Sequence, residues 1–311
     1  ENSVTFYDAG HVLGSSTPLL EIDSGGGRVR IGYAVDLGRK KIPILNDPVT
    51  PPDIDYLFLE STYGGRLHAD PSETRDTLAD IINRTVSRGG KIIIPSFALE
   101  RTQEIVYYLN DMFNDQMVPK IPVIVDSPLA VNLTEVFFNH PECYDEEMYE
   151  AFKNGQDPLG ARHVRYIKDV EESKALHHDQ DPKIIISASG MCEAGRILHH
   201  LKNNIEDERN TVLIVGFMAR NTLGRRIAEK HEKVKIFGQE YRLNAEVEIM
   251  NSFSAHADRD ELHDYVKPLK DSLKGIFLVH GEESQSEQLY QLLRSEGYPV
   301  HFPSPGDSIE I

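Results

Sequence analysis

The sequence predicts an α/β fold with a parallel sheet in its middle, and three observations carry that prediction. Short β-rich runs fill the first sixty residues, helical and strand-like segments then alternate, and sheet followed by helix returns near the end. In the opening part, "VTFYD", "PLLEID", "RVRIGY" and "IDYLFLE" are separated by Gly, Pro and Asp turns, as strands of one sheet would be. After "ESTYGG" come helical "SETRDTLADIINRTVSR", strand "KIIIP", helical "ALERTQEIVYYLNDMF" and strand "IPVIV". Leu99, Ile105, Val106, Leu109 and Met112 recur at three- and four-residue spacing, which marks one buried helix face. Residues 139–181 are polar, acidic and weakly periodic; they read as short helices and loops, with "HHDQD" a solvated turn. The alternation resumes at "PKIIISASGM" and "TVLIVGF", and "VEIMNSFSAHAD" and "KGIFLVHGEE" return to sheet followed by helix. The simplest partition is discontinuous. Residues 1–65 and 241–311 form one domain, and residues 66–240 are inserted into it.

The chain has 311 residues, 40% of them hydrophobic, enough for two globular domains. Its two cysteines, Cys143 and Cys192, lie in unlike contexts and make no disulfide framework, so a cytoplasmic location is expected. No apolar run reaches the ~18 residues of a membrane span, and no membrane partner is expected. The first residue is Glu1 rather than methionine, which points to a native polypeptide that starts elsewhere. A net charge of −17 argues against broad electrostatic capture of nucleic acid. The imbalance is uneven, however: residues 135–182 carry 12 Asp and Glu against 5 Lys and Arg, whereas residues 196–235 carry 9 Lys and Arg against 5 Asp and Glu. A polyanion would meet the second stretch.

Five short stretches share one design, in which a strand ends, a small residue permits a tight turn, and an acid or histidine projects. They are "YDAGHVLGS" with His11, "GYAVDLGR" with Asp36, "LFLESTYG" with Glu60, "NSFSAHAD" with His256 and "FLVHGEE" with His280. Strand ends on one side of a sheet are where active sites collect, because the scaffold is rigid and the loops are free. Each alone reads as an ordinary turn or a hydrogen-bonded histidine; the case rests on all five. A sixth stretch, "IIISASGMCEAGRILHH", reads as strand, Ser and Gly turn, then helix. That turn would aim backbone N–H groups at Gly190 and the hydroxyls of Ser187 and Ser189 towards an anion. Arg220, Arg225 and Arg226 fall in the basic stretch and suit a nucleic-acid backbone or a solvated helix face, and Arg101 suits either role. His199 and His200 sit on a helix and do not read as ligands.

The series "ESTYG", "PSFALERTQE", "DSPLA", "SASGM" and "FSAHAD", followed 24 residues later by "VHGEE", resembles the metallo-β-lactamase-fold nucleases with a β-CASP insertion. Bacterial ribonuclease J and the eukaryotic pre-mRNA 3′-end endonuclease belong to that group. The resemblance spans essentially the whole chain and implies part of an αββα sandwich, with the β-CASP domain as its parallel-sheet insertion. It implies two zinc ions, with His11 on the first, Asp36 bridging both and His280 on the second, since histidine nitrogen and carboxylate oxygen suit zinc. It places Glu60 and His256 beside the scissile phosphate, where a protonated histidine can serve the departing 3′-oxygen and the carboxylate can sustain its charge. Single-stranded RNA is the expected substrate and products would carry 5′-phosphates. DNA is the alternative substrate, because related exonucleases of DNA repair share these motifs. A homo-oligomer is compatible with the sequence.

Two departures from the family pattern qualify the expectation. The family's HxHxDH motif, which supplies two ligands to each zinc, precedes the position of His11, and the 13 histidines here include no HxH. The chain as given is therefore expected to hold zinc poorly, as an N-terminally truncated and by itself inactive part of the enzyme. A catalytically silent module that binds RNA or a partner is the competing reading. The bridging aspartate usually follows Ser or Thr and then Gly, whereas Ala34 and Val35 precede Asp36.

Overall fold

A computed structural model describes residues 2–160, 163–304, 306–308 and 310, and its chain divides into two compact units. One comprises Glu1–His68 with Ala255–Ile311, the other Ala69–Ser254.

The chain opens with β1 (Ser3–Asp8), β2 (Ser16–Asp23), β3 (Arg28–Ala34) and β4 (Tyr56–Glu60). It then runs through α1 (Pro71–Ser87), β5 (Ile92–Pro95), α2 (Arg101–Asn114), β6 (Val123–Val125), α3 (Pro128–Asn139) and α4 (Glu146–Lys153). Next come β7 (Val164–Tyr166), α5 (Val170–Ala175), β8 (Ile184–Ser187), α6 (Ile197–Asn204), β9 (Thr211–Ile214) and α7 (Leu223–Ala228). A hairpin of β10 (Lys233–Ile236) and β11 (Gln239–Arg242) precedes β12 (Glu246–Ile249). The chain closes with α8 (Arg259–Val266), β13 (Gly275–Val279), α9 (Glu283–Ser295) and β14 (Val300–His301).

The second unit is built on a six-stranded sheet of order β12-β9-β5-β8-β6-β7, parallel throughout. Its central strands IIIP, IIIS and TVLI are buried at every position, as befits a parallel sheet covered on both faces. One face packs against the apolar sides of α1 and α2 through Ile82, Ile105 and Leu109; the other meets α6 and α7 through Ile197, Leu201 and Ile227. The division expected at residue 240 assigns "VEIM" to the outer domain, and the structure corrects this. The strand β12 pairs in parallel with β9, so its side chains complete the inserted sheet, and that unit runs to Ser254.

In the first unit the sheet order is β1-β2-β3-β4-β13-β14. The hairpin strands β1, β2 and β3 are antiparallel, whereas β3, β4, β13 and β14 run parallel. One face buries Leu57, Leu59, Ile276 and Leu278 against Leu262 and Val266 of α8 and Leu289 and Leu293 of α9. On the opposite face Val4, Phe6 and Tyr33 stand exposed. A row of rings crosses that face, with centroid spacings of 5.8 Å from Tyr33 to Phe58, 5.2 Å to Phe277 and 5.4 Å to His301.

Candidate metal centre

Because β3, β4 and β13 are neighbours and parallel, their C-terminal ends lie side by side. Asp36 follows β3, Glu60 ends β4, and His280 follows β13. Asp36 and His280 both hold left-handed backbone, with φ of 60° and 51°. Non-glycine residues rarely adopt that conformation, and where they do it collects at functional sites.

The remaining two residues are brought in by loops tied to the same edge. His11 sits in the turn between β1 and β2, where the Ser15 hydroxyl accepts from the amides of His11 and Val12, both at 3.1 Å. Gly38 donates to the Ala9 carbonyl at 2.7 Å and bridges to His256, while Ala257 donates to Leu37. A side chain at Gly38 has nowhere to go: its Cβ would lie 1.9 Å from the Gly10 carbonyl oxygen. Residue 38 is thus where the three loops close on one another. Behind His256, Asp258 and Glu261 form a capping box that fixes the start of α8.

The result is a graded site. Glu60 is fully buried and accepts from the Leu37 amide at 2.5 Å; its carboxylate lies 3.0 and 3.1 Å from Nδ1 of His256. With Nδ1–H pointed at the carboxylate, Nε2 of His256 carries the lone pair or a transferable proton. Further out, Nδ1 of His280 is 3.6 Å from Oδ1 of Asp36, and those side chains are 47% and 51% exposed. The Thr62 hydroxyl donates to the His280 carbonyl at 2.9 Å and lies 3.3 Å from Nδ1. With its proton on the carbonyl, that hydroxyl accepts from Nδ1–H and leaves Nε2 of His280 as a donor atom for a metal. Ring centroids of His11 and His256 are 4.5 Å apart, and those of His256 and His280 are 5.6 Å apart.

Ligand atoms of His11, Asp36 and His256 lie within 4.8 Å of one another, as do those of Glu60, His256 and His280. Imidazole nitrogen and carboxylate oxygen are the donors zinc takes, so these side chains fit a zinc site. All five residues gather, three from strand ends and His11 and His256 from loops, and His256, expected beside the phosphate, belongs geometrically to both groups.

Three supporting residues, His68, Ser61 and Thr62, escape sequence reasoning. His68 Nε2 lies 3.1 Å from the His256 carbonyl, its own amide donates to Asp258 at 2.9 Å, and its ring meets Tyr63 edge-on at 4.5 Å. Burial pushes the His68 imidazole down to about 4, so it is a neutral donor to that carbonyl at ordinary pH. Ser61 donates to the Val279 carbonyl at 2.9 Å, so "EST" binds His256, the end of β13 and His280 with three successive residues. The motif itself was the available signal for Ser61 and Thr62; His68 has none.

The anion-binding residues expected in the inserted unit fare differently. Ser187 is a correction: it is 1% exposed, and its hydroxyl donates to the Asp126 carbonyl at 2.8 Å, because the last residue of β8 faces the neighbouring strand β6. Ser189 accepts from the amides of Glu193 and Ala194 and so shapes the following loop. Gly190 lies under the Phe97 ring, which a Cβ would meet at 2.8 Å. Arg225 pairs with Glu229 at 2.6 Å, and Arg220 is exposed. His200 is buried against Asp126 at 2.6 Å, a core hydrogen bond and not a ligand position.

Residues 102–227 match the Beta-Casp domain family, and residues 240–303 match the family described as the Zn-dependent metallo-hydrolase RNA specificity domain. The chain is 35% identical over 309 residues to the ribonuclease TTHA0252 of Thermus thermophilus, covering 99% of this chain and 69% of that one. It is 28% identical over 306 residues to the transcription termination factor FttA of Methanosarcina mazei, spanning 94% of this chain and 48% of the relative. With the RNase J-like protein of Methanocaldococcus jannaschii it shares 33% identity over 284 residues, 90% of this chain and 64% of that protein. The chain thus spans between about half and about two thirds of the length of these relatives.

Proposed function

The chain belongs to the metallo-β-lactamase-type nucleases with a β-CASP domain, and from that premise we propose that it serves zinc-dependent hydrolysis of phosphodiester bonds in single-stranded RNA, in cytoplasmic RNA processing or decay. The observation that carries this reading is the convergence of His11, Asp36, Glu60, His256 and His280 at one sheet edge. The names of the relatives, a ribonuclease among them, support RNA as the substrate class.

His11 would hold one zinc ion, His280 a second, and Asp36 would lie between them. When bound, zinc supplies an acidified water and positive charge opposite the phosphate. Three such residues offer fewer donors than two ions take up at three or four protein ligands each, so the complete centre draws on further ligands. The exposed Val4, Phe6 and Tyr33 on the outer face of the first unit's sheet support the same view, since apolar side chains so placed pack on a second layer, here the other sheet of an αββα sandwich.

The chain's own contribution to the reaction is the Glu60–His256 pair. Glu60 holds Nδ1–H of His256, and the buried carboxylate sustains a positive ring. Nε2 then gives its proton to the departing 3′-oxygen as the bond to phosphorus breaks, leaving a 5′-phosphate on the product. The test is cleavage of a 5′-labelled single-stranded RNA by the full-length polypeptide with zinc, for the parent and for His280→Ala. Loss of cleavage in the variant is expected. Equal rates refute the metal assignment, and a parent that binds RNA without cutting it establishes the silent module.

A further inference from the structure

The β10–β11 hairpin turns through two residues, Phe237 and Gly238, between the paired Ile236 and Gln239. Their φ angles are 51° and 79°, so both central positions are left-handed. Two-residue turns of that kind favour Asn-Gly, because Asn tolerates the conformation and a bulky side chain does not. Phenylalanine here works against the local backbone, and burial does not compensate, since the residue is 54% exposed. One side of the ring rests on His199, with centroids 4.8 Å apart and planes at 46°.

A residue that violates the local rule without gaining a core contact points to a role outside the fold. The surroundings indicate which role. His199 lies in the first turn of α6, directly after the loop of residues 188–196 that Ser189 organises. Lys202 is one turn further along the same helix, and Lys233 and Lys235 occupy the exposed, alternate positions of β10 leading to Phe237. Among the nearby acids, Glu240 stands across from Lys235 and 3.9 Å from Lys233 Nζ, and Glu206 accepts from the Arg242 amide. An open aromatic pair flanked by lysines is the composition of a surface that stacks bases and follows a phosphate backbone.

We propose that Phe237 and His199 form a stacking platform for one base of single-stranded RNA, with Lys202 and Lys235 placed for the adjoining phosphates. This rests on the RNA reading above and adds to it a contact in the inserted unit, separate from the metal centre. Stacking is indifferent to base identity, because every base offers a π-face, so the platform contributes affinity without sequence preference.

The experiment is equilibrium binding of a fluorescein-labelled ten-nucleotide oligouridylate to the full-length protein, with EDTA present to prevent cleavage. Phe237→Asn suits the turn and keeps the fold, and it should weaken binding about 5- to 100-fold, whereas Phe237→Trp should bind at least as well as the parent. An oligonucleotide of the same length with every base removed should bind the parent and the Asn variant alike, because neither then has a base to stack, and should bind the parent more weakly than the oligouridylate does by at least that same factor. If Phe237→Asn binds as tightly as a tightly binding parent, the platform is refuted and the ring belongs to a protein contact. If the parent binds no RNA, the platform and the RNA reading fall together.

Discussion

Replacing Glu60 by glutamine separates the shape of the buried acid from its charge. Glu60 is fully buried and makes two kinds of contact: it accepts from the Leu37 amide at 2.5 Å and faces Nδ1 of His256 at 3.0 and 3.1 Å. Glutamine can keep the first with its oxygen but loses the ionic character of the second. A hydrogen bond to a charged group contributes about 1.5–3 kcal/mol against about 0.5–1.5 kcal/mol for a neutral one. The difference, roughly 1–2 kcal/mol, applies most strongly when His256 is positive, that is, while it holds the proton destined for the leaving oxygen. At about 1.4 kcal/mol per tenfold this alone lowers the rate roughly 5- to 30-fold, and mispositioning of the ring brings the total towards the ~100-fold that one general acid supplies. Fold stability should change by no more than about 2 kcal/mol, measured by urea unfolding. The assay compares two substrates, RNA and bis(p-nitrophenyl) phosphate. The nitrophenolate leaves without a proton, so its release should fall by less than about fivefold in the variant, whereas RNA cleavage falls about a hundredfold. Equal losses on both substrates, or no loss on RNA, would refute the assignment of His256 as acid and Glu60 as its support.

Other perturbations read separate parts of the account. Gly38→Ala would drive a methyl group into the Gly10 carbonyl, so calorimetry should show a loss of at least about 2 kcal/mol, with zinc affinity falling at least about tenfold as the His11 loop is displaced. His68→Leu keeps the buried volume but removes the donor to the His256 carbonyl; kcat should fall about tenfold with KM within about twofold, and a large rise in KM instead would contradict a positioning role. Asp126 is fully buried between Arg196 at 2.7 Å, His200 at 2.6 Å and Ser173 at 2.5 Å, so Asp126→Asn should destabilise the inserted unit by about 3–5 kcal/mol in denaturant titration. Burial opposes ionisation of that carboxyl, yet the hydrogen bonds from His200, Ser173 and Arg196 carry it below the usual aspartate range. Because the folded pKa is the lower one, the stabilisation is present above the unfolded value near 3.9 and is lost as pH falls through the folded value. The parent should therefore lose stability below about pH 4, and Asp126→Asn should lose less over that interval.

What the sequence discloses follows from how locally each feature is determined. The inserted sheet is legible because IIIP, IIIS and TVLI are covered on both faces and so carry unbroken apolar runs. The place of β12 is not, because "EVEI" alternates like any half-buried strand and only its pairing with β9 says which sheet it joins. The five residues can be singled out from sequence, since each acid or histidine stands at the end of a strand-like run with a small residue within two positions of it. Their mutual distances depend on which strands are neighbours, and only the sheet order supplies that. His68 is invisible because its partners, His256 and Asp258, are remote in sequence and its own segment is an undistinguished polar loop. Ser187 misleads for the converse reason: a hydroxyl at a strand end looks available until the neighbouring strand provides its acceptor.

The central claim is that Asp36 and the histidines at positions 11 and 280 hold zinc together, and zinc content measures it most directly. The full-length polypeptide, stripped with chelator, reloaded and dialysed, should retain about two zinc ions per chain by atomic emission, and Asp36→Ala should retain fewer than one. Equal zinc in the parent and in Asp36→Ala, or none in either, would contradict it.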